Sequence, residues 1–253
     1  YRLEVVQQPR RARMCGFGDK DRRPITPPPC IKLFITDKVT GKNIPPSAFE
    51  SHGCFFVLSV DLWDETGSRE VNVVRTNGTS PAPSISNSTT TSYPPPPDRP
   101  LMGAYSYVQG PDGMLYTSMQ GYGQEAYYNQ SYGHVPSQSS SSTMMTRNLI
   151  GSLTVNATML TAPKDTPAFW FVLQDLSVRT EGWFRLKMNF IDVGAGMANQ
   201  LNKGKAPVLA TTFSDKFQVF SAKKFPGVIE STPLSKEFAQ QGIKIPIRKD
   251  NSK

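Results

Sequence analysis

Histidine and cysteine are scarce in this 253-residue chain, which holds only His52, His134 and three cysteines at 15, 30 and 54. With two imidazoles and no C-x-x-C pair, a structural zinc site is disfavoured. An odd number of thinly spread cysteines is not a disulfide framework and suits a reducing compartment. Long apolar runs are missing too, none approaching the roughly eighteen residues of a membrane span or the core of a signal peptide. The chain is therefore expected to be soluble and intracellular, with no membrane partner, no metal and no cofactor.

Enzyme templates are also absent. Lys205 follows Gly204, but a phosphate-binding loop needs glycine where Asn199 stands and serine or threonine where Ala206 stands. Gly16-Phe17-Gly18 lacks the third glycine of a dinucleotide fingerprint, and neither G-x-S-x-G nor H-E-x-x-H occurs. His52 and Cys54 could share one side of a strand entrance as base and nucleophile; the alternative is a pair of buried, inert residues. Of four N-x-S/T matches, at Asn77, Asn87, Asn129 and Asn156, three fall in a Ser/Thr-rich stretch where chance supplies them. The expectation is a chain that is not an enzyme.

Positive charge is what the chain has in excess. There are 28 Lys+Arg against 20 Asp+Glu, a net +8 with a pI near 9.4. Such a surplus points to polyanionic partners, nucleic acid first. It is unevenly spread: residues 76–146 carry only Asp98, Arg99, Asp112 and Glu125, a net −2, which leaves +10 on the rest. That interval holds nine of the 22 prolines and eight of the nine tyrosines, but only five Leu, Ile, Val and Phe together. It cannot build a core, and it reads as a disordered Pro/Tyr/Ser-rich insertion between two halves of one domain, 1–75 and 147–253. A Tyr-rich segment folding on its own is the alternative. As an insertion it is a passive linker by default, or a contact surface for partners, or a substrate for phosphorylation.

Both halves carry short runs of Val, Ile, Phe and Leu bounded by Pro, Gly and Asn. Strands are expected at 3–7, 31–36, 54–62 and 71–75, then at 149–160, 168–173, 183–193, 208–212 and 216–221. In 183–190, Phe184, Leu186, Met188 and Phe190 alternate with Arg185, Lys187 and Asn189, so one face is core and the other wet. About nine strands without interleaved helices argue an all-β fold, a two-layer antiparallel sandwich of immunoglobulin-like character with one minor helix. That short amphipathic helix runs over 233–241, with Thr232 as cap, Pro233 at the first position, Leu234 and Phe238 on one face and Gly242 as stop. It packs on the domain or on a partner. Ile243 to Arg248 alternates apolar and basic residues, and Pro246 confines it to a sheet edge.

The stretch from Arg10 to Pro24 is the informative one, with six cations in fourteen residues between the first strand and a proline-rich turn. It reads as a semi-rigid basic loop. Arginine forks there can grip phosphates or bracket guanine edges, and a pre-shaped loop loses less entropy on docking. Asp19 and Asp21 either orient the cations or neutralise them, and a solvated or nuclear-import basic run is the alternative to nucleic-acid contact. Lys32, Lys38 and Lys42, with Lys203, Lys205, Lys223, Lys224, Lys244, Arg248 and Lys249, extend the footprint if the fold gathers them at one end.

Leu3-Glu4-Val5-Val6-Gln7-Gln8-Pro9 with Arg11-Ala12-Arg13, then Cys15-Gly16-Phe17-Gly18 and Lys20-Asp21-Arg22-Arg23-Pro24 before Pro27-Pro28-Pro29, resemble the opening signature of the fungal velvet domain. Lys224-Phe225-Pro226-Gly227, Glu230-Ser231-Thr232 and Leu234-Ser235 through Gln241-Gly242 resemble its end. The resemblance implies a regulator of fungal development, sporulation and secondary metabolism, in nucleus and cytoplasm. It also implies a sandwich similar to the DNA-binding Rel homology domain. Rel loops read R-x-R-x-x-C, and Arg11 to Cys15 is one residue shorter, so the loop carries over as a whole: Arg11, Arg13, Lys20, Arg22 and Arg23 are the expected contacts to double-stranded DNA, without assignment to bases. The implied partners are other velvet proteins, the spore-viability velvet protein and velvet A, as a heterodimer, with a methyltransferase-like regulator reached through velvet A. A homodimer is the further option. The competing function is a protein-interaction subunit that scaffolds a DNA-binding velvet partner.

Overall fold

Phe56, Leu58, Val60 and Leu62 alternate along one stretch and Phe184, Leu186, Met188 and Phe190 along another, and these eight residues face the core from two neighbouring strands. The computed structural model describes residues 1–17, 22–76, 144–195 and 200–248, with the backbone of 106–109 and 115–118. In chain order its strands are β1 (Arg2–Gln7), β2 (Arg11–Arg13), β3 (Cys30–Phe34), β4 (Phe56–Asp64), β5 (Val73–Thr76), β6 (Ser106–Gln109), β7 (Leu115–Ser118) and β8 (Met144–Arg147). They continue as β9 (Leu149–Ile150), β10 (Thr154–Asn156), β11 (Thr158–Thr161), β12 (Pro167–Val172), β13 (Ser177–Val178), β14 (Gly182–Asp192), β15 (Val208–Phe213) and β16 (Phe217–Phe220), before the helix α1 (Pro233–Gln240).

Two sheets make the sandwich. One has the order β1-β3-β12-β11; the other has β10-β4-β14-β16-β2, with β15 on β14 beside β16. All these pairings are antiparallel except β16 with β2. Between the sheets, Phe56 meets Phe169 and Phe190 edge-on, each at 5.3 Å between ring centroids. Ile31, Leu33 and Phe171 close the layer from the smaller sheet. Each such side chain contributes about 1.5–3 kcal/mol by leaving water. The expected all-β sandwich with one short helix is therefore the fold observed.

The helix belongs to the domain. Thr232 Oγ1 accepts from Ser235 N at 3.1 Å, and the C-terminus closes with Gly242 at φ +96°, Gly242 N donating to Ala239 O and Ile243 N to Phe238 O. This pair of bonds is the turn that a glycine after a helix makes possible. Phe238 is fully buried against Trp170, 5.0 Å between ring centroids, so α1 covers the outer face of β12. That explains the unbroken apolar run in β12, which is buried on both faces.

Three expectations need correction. The run over 149–160 is three strands: Gly151 breaks it at φ +118° after β9, and at Ala157 the chain passes from the larger sheet, β10, to the smaller, β11. The segment after the helix forms no strand: Pro246 has no N–H to donate, Ile245 turns into the helix cluster, and Ser231 and Arg248 tie the segment back. The strand expected from Cys54 starts instead at Phe56, after a 3-10 turn over Gly53–Phe55. The 76–146 insertion lies mostly outside the described residues. Thr76 at its start faces Met144 near its end, and Thr146 faces Val74, in the antiparallel β5–β8 ladder. The residues from Asn87 to Ser140 form a second unit, in which β6 and β7 pair as an antiparallel hairpin.

Candidate nucleic-acid interface

Arg11 and Arg13 do not lie in a loop; they flank Ala12 on β2, and this corrects the expectation. Ala12 is fully buried in the core, so alternation puts both arginines on the outer face of the larger sheet. A small residue between two long ones lets this strand close the sheet beside β16. The pairing is parallel, with Gln218 opposite Arg11 and Phe220 opposite Arg13. Parallel strands leave a sheet at the same end. The basic loop that follows Arg13 and the exposed Lys223-Lys224 turn that follows Phe220 are thereby brought together.

Both limbs of the loop are pinned. On the way out, Met14 N donates to Phe220 O, Cys15 N to Val178 O and Gly16 N to Arg179 O, at 2.8–3.1 Å. On the way back, Arg23 O accepts from the Ser177 hydroxyl at 2.9 Å, Ile25 N donates to Leu176 O, and Thr26 exchanges bonds with Arg11. The segment 176–179 is thus the rail on which the loop rides. Arg179, buried, locks it: Nε donates to Arg147 O and Nη1 to Gly16 O, both at 2.9 Å. The Cys15 thiol beside it is pushed above its ordinary pKa by burial, against the opposing pull of Arg179 and Arg22.

Arg22 is held too. Its Nη2 donates to Asp175 O at 3.0 Å and lies 3.6 Å from the Asp175 carboxylate, which also accepts from the Ser152 amide and hydroxyl. Gly151 makes the approach possible, since a Cβ there would stand 2.5 Å from Asp175 O and 2.8 Å from Arg22 Nη2. Arg23 is exposed at the same end. Lys20, Asp19 and Asp21 lie outside the described residues, so the carboxylate seen on Arg22 is Asp175. Sequence reading missed Asp175, Arg147 and Arg179. A lone arginine after a short apolar run carries no signal that it is buried.

Lys32, Lys38, Lys42, Lys203 and Lys205 do not join this end. Lys38 and Lys42 occupy the turn reached after β3, and Lys203 and Lys205 the turn reached after β14; both strands lead away from the loop. Lys32 pairs with Asp165 over the Phe34 and Trp170 rings. Lys244 follows the helix, Arg248 lines a pocket with Pro24 and Ile25 on the returning limb of the loop, and Lys249 lies outside the described residues. His52 and Cys54 are separated in role: His52 Nε2 meets Asp192 Oδ2 at 2.8 Å, while the exposed Cys54 thiol donates to Ser51 O. The His52–Asp192 contact ties the entrance of β4 to the end of β14.

The sequence profile of the velvet factor family matches residues 1–251. The B-type subunit of the velvet complex of Emericella nidulans is 48% identical across the whole chain and 79% of its own length. The velvet complex subunit RYP3 of Ajellomyces capsulatus and the B-type velvet complex protein of Aspergillus flavus are each 50% identical, with the same coverage. The match takes in the strand that carries Arg11 and Arg13, the pinned loop, the lysine turn and the capped helix alike, and the chain belongs to the velvet factor family.

Proposed function

We propose that this velvet-family regulator binds double-stranded DNA through the loop end of its sandwich and works as a heterodimer with another velvet protein, controlling fungal development, sporulation and secondary metabolism from nucleus and cytoplasm. The observation that carries this is the parallel β2–β16 pairing, which gathers Arg13, Arg22, Arg23, Lys223 and Lys224 at one end. Phosphates would set affinity there, and a few arginine contacts to base edges would set specificity. A loop pinned at both limbs meets DNA with little ordering left to do. The relatives named as velvet complex subunits support assembly with other velvet proteins.

The test is fluorescence anisotropy of a labelled promoter duplex over a salt series, with the chain alone and then with its velvet partner. Affinity should fall with a log-log slope of about −0.9 per phosphate contact, and Lys223→Gln with Lys224→Gln should flatten it by about 1.8. Arg13→Gln should weaken binding with the melting temperature unchanged. A second reading draws on Arg22, whose guanidinium is already engaged by Asp175: the subunit would scaffold a partner that reads the DNA. Binding that requires the partner and ignores all three substitutions would establish that reading and overturn the first.

A further inference from the structure

The cations do not stop at the loop. Across the outer face of the larger sheet the register runs Arg11, Gln218, Trp183 in one row, with Arg13 and Phe220 in the row nearer the loop. Trp183 is 44% exposed, its neighbour Phe184 being buried in the core. Lys216, two residues before Gln218 and so one row further on, holds its ammonium 5.5 Å from the Trp183 ring centroid. Arg11 Nε is shielded from water and meets no hydrogen-bond acceptor among the described residues. Successive outward residues on a strand stand about 7 Å apart, so Arg13, Arg11 and Lys216 mark a track about 14 Å long leading away from the loop. Glu181 and Asp215 adjoin it in sequence, and exposed Glu65 follows Asp64, the residue opposite Phe184.

We propose that duplex DNA held at the loop continues over this face, its phosphate backbone lying along Arg13, Arg11 and Lys216, with Trp183 against the deoxyribose. The inference rests on the DNA-binding reading above and extends it from the end of the sandwich to its side. Continuity of like charge from loop to face favours a polyanion backbone. A protein interface would carry an apolar centre, whereas here each large ring stands beside a cation or is half-buried.

The experiment compares two labelled duplexes sharing one bound sequence, of about one and about two helical turns, on the full chain with its velvet partner. The longer duplex should show a steeper salt slope, by about 0.9 for each phosphate gained. Lys216→Gln should remove about 0.9 of that gain and leave the short duplex unaffected. With Trp63, half-buried on β4, replaced by phenylalanine (Trp63→Phe), the long duplex should also shield Trp183 from acrylamide quenching while the short one does not; Trp170 is buried throughout. Equal slopes and equal quenching on both duplexes would overturn the track and leave the loop reading standing. Absence of salt-dependent binding to either duplex would overturn both. Shielding of Trp183 by the velvet partner before DNA is added would assign the face to a protein instead.

Discussion

Arg22 and Arg179 hold the basic loop through main-chain carbonyls. A hydrogen bond from a charged donor is worth about 1.5–3 kcal/mol, most where water is excluded, so buried Arg179 with two carbonyl acceptors is a clamp rather than a contact. The cysteines divide in a similar way by surroundings. Burial pushes the Cys30 thiol up to about 12, so it stays protonated and unreactive at neutral pH. Cys54 is exposed and Cys15 half-buried under the loop. Iodoacetamide followed by peptide mass spectrometry should therefore modify Cys54 first and Cys15 slowly, and reach Cys30 only in denaturant. Modification of Cys30 in the native protein at the rate of Cys54 would contradict the packing of α1 over β3 and β12.

At the scale of elements, the helix is where prediction is sharpest. Phe238 fills the second core against Trp170, and Phe238→Ala should cost about 3–5 kcal/mol in urea unfolding. Ile247→Ala, beyond the helix stop and half-exposed, should lie within about 0.5 kcal/mol of zero. An equal loss from both would mean that the tail, not the helix, covers the sheet. The helix was readable in advance because every cue is local: a capping threonine, a proline at the first turn, two apolar residues four apart, a glycine stop. The central strands were readable for the same reason, since alternation is written into Phe184 to Phe190. The strand carrying Arg11 and Arg13 was not. Three residues with one small apolar centre resemble a loop until β16, far along the chain, supplies the edge they pair with. The partners of Arg22 and Arg179 escaped for the same reason, because their acceptors are carbonyls and a carboxylate distant in sequence.

At the scale of the whole molecule, the β5–β8 ladder holds Thr76 opposite Met144, so the sandwich is complete on either side of whatever joins them. Replacing residues 77–143 with a two-residue Asn-Gly turn should keep the fold and the loop's DNA affinity. Removing the long closure should raise stability by up to about 3 kcal/mol, read as a higher Tm by calorimetry. Loss of pairing with the velvet partner in that variant would instead make the insertion a contact surface.

The same ladder has a bearing on how such a domain changes over generations. Once two facing residues clasp the ends of a segment, its length becomes nearly free, each doubling adding only about 0.6 kcal/mol of closure cost. Tens of residues can be gained, lost or rewritten there while the sandwich registers little. Drift at this position is thus filtered by what the segment does for the cell, scarcely by whether the protein folds, and a lineage can acquire new regulatory wording at a site where structural proofreading is at its weakest.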